Sequence, residues 1–167
     1  MKKRSLSVFL LVMCMLLVGC SSQKNISCER VLSHVLADMA VNTERNGQVF
    51  LLSADEGQIE YFPDQTKMLM YGENSLKNCF PKIEDCAIYV SAHILEEVAI
   101  FKCYSSSDTD EIVKMCLERA DMIKVSMKGS SWQEKTEKIR VTVHRHFVVF
   151  SFTDDSQEIE EMIKNLL

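Results

Sequence analysis

His144 and His146 form the pair whose spacing best suits a metal ion, because alternate residues of a regular strand share a face. They fall at a turn, however, and His34 and His93 are far off in sequence, so solvated turn residues are expected and no metal. Glu96 and Glu97 offer two carboxylates, the usual equipment for general acid–base work. As neighbours at the start of a strand they point to opposite faces, which makes them a poor catalytic pair and suggests a charged strand end. Ser53, Asp55 and His93 are of the types that make a nucleophile, an acid and a base, but nothing in their spacing orients them. No G-x-S-x-G, H-E-x-x-H, phosphate-loop or dinucleotide fingerprint occurs. No catalytic, cofactor-binding or metal-binding residue is therefore expected, and the chain does not read as an enzyme.

Cys20 is different. Met1-Lys2-Lys3-Arg4 is basic, and the 13 residues from Leu6 to Val18 are apolar apart from Ser7. As a helix that run covers about 20 Å, short of the ~30 Å of hydrocarbon a spanning helix must cross. A basic start, a short apolar run and small residues after it describe an export signal. Leu17-Val18-Gly19-Cys20 then resembles the lipobox of bacterial lipoproteins. The resemblance implies a diacylglycerol thioether on Cys20, removal of residues 1–19, and acylation of the new amino group by a fatty acid such as palmitate. Gly19 leaves room at the cut, and only a thiol forms the thioether. Two or more acyl chains on one residue suffice for stable anchoring.

The chain has 19 basic and 24 acidic residues; loss of Lys2, Lys3 and Arg4 with the signal leaves 16 against 24, a formal charge of −8. Such a domain is repelled by nucleic acid and by an anionic membrane surface, so the lipid alone must hold it at the extracytoplasmic face of the cell membrane. Residues 20–27 are the lipidated cysteine and a short tether, of which Ser21 to Asn25 reach at most ~18 Å. With 5 Gly and 2 Pro there is no linker-rich or low-complexity segment, so residues 28–167 form a single domain.

Five cysteines remain in that domain: Cys28, Cys79, Cys86, Cys103 and Cys116. Their spacings fit no zinc signature. Cys103 and Cys116 fall on apolar positions, as buried free thiols would, while a Cys79–Cys86 bridge around Pro81 is the most local alternative. Connectivity is not legible from spacing.

The elements that must position these residues follow from periodicity. Ser27 can cap a helix carrying Val31, Leu32, Val35, Leu36 and Met39, broken at Asn46-Gly47. Residues 48–62 suit strand or helix equally. Pro63-Asp64 can start a short helix with Met68 and Leu69 on its buried face, ended by Gly72. Ala87 to Val90 and Val98 to Phe101 are strand-like. Ser107, Asp108 and Asp110 offer caps for a long helix with Ile112, Val113, Cys116, Leu117, Ala120 and Ile123 in one stripe. A polar loop, Gly129 to Trp132, precedes the charged run Gln133 to Lys138. Ile139, Val141 and Val143 alternate with polar residues as in a half-buried strand, and Phe147 to Phe152 returns after a turn at His144-Arg145-His146. Asp155-x-x-Glu158 reads as a capping box before Ile159, Met162, Ile163 and Leu166, with Glu158, Glu160 and Glu161 on the solvated face. The order predicts an α+β fold, a four-stranded antiparallel sheet with helices packed mainly on one face. Tyr61-Phe62 and Trp132 suit either an interface or the edge of a core, and Met68 and Met70 suit core filling.

Together these segments resemble a family of bacterial lipoproteins, domain of unknown function 4358, found largely in Gram-positive anaerobes. The resemblance rests on Leu69-Met70-Tyr71-Gly72, Ala87-Ile88-Tyr89-Val90-Ser91, Glu96 to Lys102, the helix from Asp110, the closing hairpin and the last helix, and spans roughly residues 30–167. Arg145-His146-Phe147 departs from the Gly-polar-Tyr turn of that family. The family has no established activity, so the resemblance carries no catalytic residue to this chain.

The expected function is a cell-surface binding or interaction module, anchored in the membrane by Cys20 and facing an unidentified protein or envelope partner. An extracytoplasmic hydrolase acting on envelope material, or a ligand-capture accessory of a transporter, are the alternatives.

Overall fold

A computed structural model describes residues 26–39 and 47–167; Cys14, Cys20 and the export signal lie outside the described residues. Helix α1 (Cys28–Met39) precedes strand β1 (Gln48–Leu51), the short helices α2 (Asp64–Tyr71) and α3 (Glu73–Asn78), and the hairpin of β2 (Ile83–Ser91) and β3 (Glu96–Cys103). The long helix α4 (Thr109–Met127), the hairpin of β4 (Arg140–His144) and β5 (Phe147–Phe152), and helix α5 (Ser156–Leu166) complete the chain. The fold is α+β, with all pairings antiparallel in the order β1-β2-β3-β5-β4.

The sheet has five strands where four were expected. The fifth is β1, from the segment whose apolar run was ambiguous: Val49 and Phe50 pair with Tyr89 and Ile88. The chain then turns, bridges Leu51 to Tyr61, and buries Phe62 against Phe50, ring centroids 5.2 Å apart.

The helices cover both faces of the sheet, not mainly one. Alternate residues of the strands feed two separate cores. Ile88, Ala99, Phe101, Val148 and Phe150 pack under α2 and α4 with Tyr71, Phe80, Ile112 and Met115. Ala87, Tyr89, Val98, Ile100 and Val149 pack under α1 and α5 with Val31, Leu32, Val35, Ile159 and Ile163. Because β3 is central and covered on both sides, all eight of its residues are buried, including Glu96, Glu97 and Lys102. The charged strand end expected from the sequence is thus a buried one.

Several local signals hold. Ser27 Oγ accepts the Arg30 N–H at 3.3 Å, and Asp85, from β2, accepts the Cys28 N–H at 2.8 Å, so two carboxyl or hydroxyl oxygens close the start of α1. Pro63 precedes α2 and Gly72 ends it at φ 84. Others do not hold. In α2 the buried residues are Met70 and Tyr71, while Leu69 is 70% exposed. In α4 Leu117 leaves the stripe and faces solvent, and Met115 takes its place in the core. Asp155 forms no side-chain cap on α5; instead the Thr153 N–H donates to Ser156 Oγ at 3.1 Å, and that hydroxyl donates to Thr153 O at 3.0 Å. The five cysteines of the domain are all free and buried, so the Cys79–Cys86 bridge does not form.

Candidate functional site

The antiparallel sheet has two ends. One gathers the start of α1 with Asp85, and the β4–β5 turn, where the Cys103 N–H donates to His146 O. The other gathers the β2–β3 turn, the end of β5, the start of α5 and the last described turn of α1. At that second end a cleft of about 390 Å³ opens between α1, α5 and the segment after α4.

Its walls combine apolar and acidic side chains. Met39, Ile94, Ile159, Met162 and Trp132 supply the apolar surface, and Asp38, Glu96, Asp154, Asp155 and Glu158 the carboxylates. The local reasons are plain. Asp38 and Met39 end α1, while Asp155 and Glu158 occupy the start of α5, where acids suit the helix dipole. Trp132 is held in a turn by its N–H to Ser130 Oγ, and stays 40% exposed.

Among the described residues Lys135 is the cleft's single lining cation. The charged run Gln133–Lys138, which follows the polar loop Gly129–Trp132, forms a 3-10 turn over Glu134–Lys138 that buries Lys135 to 7% exposure. Its ammonium donates to Ile94 O at 3.0 Å and pairs with Glu96 at 3.5 Å and Asp154 at 3.4 Å. It also lies 5.7 Å from the Trp132 ring centroid and 5.8 Å from that of Phe152, inside cation–π range of both. Lys138 approaches Asp154 from outside at 2.8 Å. That hydrogen bond, with Lys135 beside it, holds the Asp154 carboxyl below its usual range.

Glu97 takes the opposite face. Its Oε2 accepts from Arg119 Nε at 3.0 Å and Nη2 at 2.7 Å, and its Oε1 accepts from Tyr71 Oη at 3.0 Å. Tyr71 in turn packs edge-on against Phe80 and Phe101. Every oxygen of this carboxylate is engaged inside a packed core, which suits a structural clamp. As expected, Glu96 and Glu97 share no substrate face; unexpectedly, each is buried with a cation of its own.

The other residues of chemical interest are not brought together. His144 and His146 are half-buried at the end of the sheet away from the cleft, with the His146 ring against Phe147. Among the described residues no group of three metal-ligating side chains occurs. Ser53 lies near Ser27, Glu84 and Asp85, while His93 sits in the β2–β3 turn at the other end. Trp132 opens onto the cleft, whereas Phe62 is core. Lys135 and Asp154 escaped the sequence reading; the only hint was that buried acids in a central strand require cations. Compared with known proteins, the chain matches no family model, no curated sequence and no solved structure.

Proposed function

We propose that the chain is an exported lipoprotein whose domain, tethered through Cys20, serves as a binding module that presents the cleft beside Trp132 to a ligand or partner. One geometric observation carries the reading. The tether joins the domain at Cys28, the start of α1, and the cleft lies at the far end of that helix, whose 12 residues rise about 18 Å. A domain hung from the membrane by its α1 start turns the cleft outward, away from the lipid. The lipobox, the acidic mature charge and the resemblance to lipoproteins support the same reading. No helix among the described residues is long and apolar enough to cross a membrane.

The lining of the cleft favours binding over acyl-transfer hydrolysis, since among the described residues it holds carboxylates, an ammonium and apolar groups but no serine, threonine, cysteine or histidine. Two measurements test the reading. Cys20→Ser should abolish incorporation of radiolabelled palmitate and leave residues 1–19 uncut; palmitate label retained by the variant would overturn the anchor. A photo-crosslinking residue at Trp132 should capture a reproducible neighbour that the same residue at Arg145 does not. Equal or absent capture at both positions would overturn the role of the cleft.

A further inference from the structure

We infer that the cleft beside Trp132 recognises an alkylammonium group, either a small aliphatic amine or the side chain of a lysine in a polypeptide; this rests on the cleft being the binding site proposed above. The cleft already performs this recognition once, on its own chain. The Lys135 ammonium is held there by a carbonyl, two carboxylates and two aromatic rings, with its aliphatic stem buried. Room remains beyond it: about 390 Å³ walled by Met39, Met162 and Ile94, enough for an aliphatic chain of several carbons.

Charge selects the same ligand. Five carboxylates line the cavity against Lys135, and Lys138 adds one more ammonium at Asp154. Among the described residues the carboxylates outnumber the ammonium groups by three, an excess that the positive end of α5 reduces only in part. Lys135 pairs with Glu96 and Asp154, whereas Asp38 and Glu158 carry no ion pair among the described residues. The exposed part of Trp132 supplies an aromatic face, which draws an organic cation and gives little to an anion. Apolar walls distinguish an alkylammonium from a bare metal ion, which would seek oxygen ligands alone.

The chain has a single tryptophan, so the emission of Trp132 reports the site directly. The full-length protein is titrated with cadaverine, with spermidine, and with a capped lysine-rich tripeptide, against sodium chloride and magnesium chloride at matched ionic strength. A saturable change with an amine, absent with the salts, is expected. It should weaken about tenfold or more when Asp38→Asn and Glu158→Gln are combined, two substitutions at exposed positions whose circular dichroism should match that of the parent. Saturation by the free amines but not the tripeptide assigns the ligand to small molecules; tighter response to the tripeptide assigns it to a polypeptide partner. No saturable change, an equal response to magnesium, or an unweakened response in the double variant would overturn the inference. If crosslinking at Trp132 still captures a neighbour while no amine binds, the cleft is a binding surface and the ammonium assignment alone is wrong. If both fail, the proposed role of the cleft fails with it.

Discussion

Arg119 grips Glu97 through two nitrogens on one oxygen, Nε at 3.0 Å and Nη2 at 2.7 Å from Oε2, so that Oε1 is left for the Tyr71 hydroxyl. The pair ties α4 to the central strand across a core in which Glu97 is 2% exposed. Removing one partner strands a buried charge, whereas removing both removes the demand. Arg119→Met should therefore cost about 3–5 kcal/mol, and Arg119→Met with Glu97→Leu should recover much of that loss. Tyr71→Phe, which deletes one hydrogen bond to a charged acceptor, should cost about 1.5–3 kcal/mol. Urea unfolding midpoints check all three; a double variant as unstable as the single one would contradict this account.

The thiols give a prediction at alkaline pH. Burial pushes Cys86 up to about 12 and Cys103 up to about 11, and raises Cys28 and Cys116 far above the ordinary thiol range, all by desolvation first. Burial and the neighbouring Glu97 likewise hold Tyr71 protonated. Groups whose folded values are raised contribute stability that is full below the unfolded values, about 8.5 for thiols and 10 for tyrosine. That contribution is lost as pH climbs through the folded values. Stability should thus decline above about pH 8.5. Five of the seven cysteines should react with a thiol reagent only at the rate of unfolding, which a stopped-flow labelling trace compared with unfolding kinetics would verify.

Gly47 enters β1 against Tyr89. A Cβ there would lie 2.2 Å from a Tyr89 ring carbon and 2.7 Å from the backbone oxygen of Val90, and the latter cannot swing away. Gly47→Ala should therefore destabilise by about 1–3 kcal/mol. A thermal midpoint equal to that of the parent would show that β1 shifts at no cost.

Arg145 occupies the two-residue turn between β4 and β5 at φ 59, a left-handed conformation that costs a non-glycine residue about 1–2 kcal/mol. Arg145→Gly removes that strain but adds freedom to the unfolded chain, so a net gain of up to about 1 kcal/mol is expected. Chemical denaturation of the variant decides it; a loss of stability would mean that the arginine side chain contributes more than its backbone costs.

What could be read before folding was whatever depends on near neighbours along the chain. The stripe Val31, Leu32, Val35 and Met39, the Ser27 cap, the stop at Gly72 and the strand-like runs of β2, β3 and β5 all follow from local periodicity and backbone preference, and with them the α+β class. Which faces are covered is a different kind of fact. Whether Val49 and Phe50 join a sheet depends on Tyr89 and Ile88, some 40 residues away. Whether Glu96 and Glu97 meet water depends on helices packing over both faces of β3, and whether Lys135 is a surface charge or the ammonium at the centre of a cleft depends on where Glu96, Asp154 and Phe152 arrive. Burial turns a carboxylate from a solvated side chain into one that must find a cation, and that partner is chosen by tertiary packing, because desolvation is a property of the assembled layers and not of the residue.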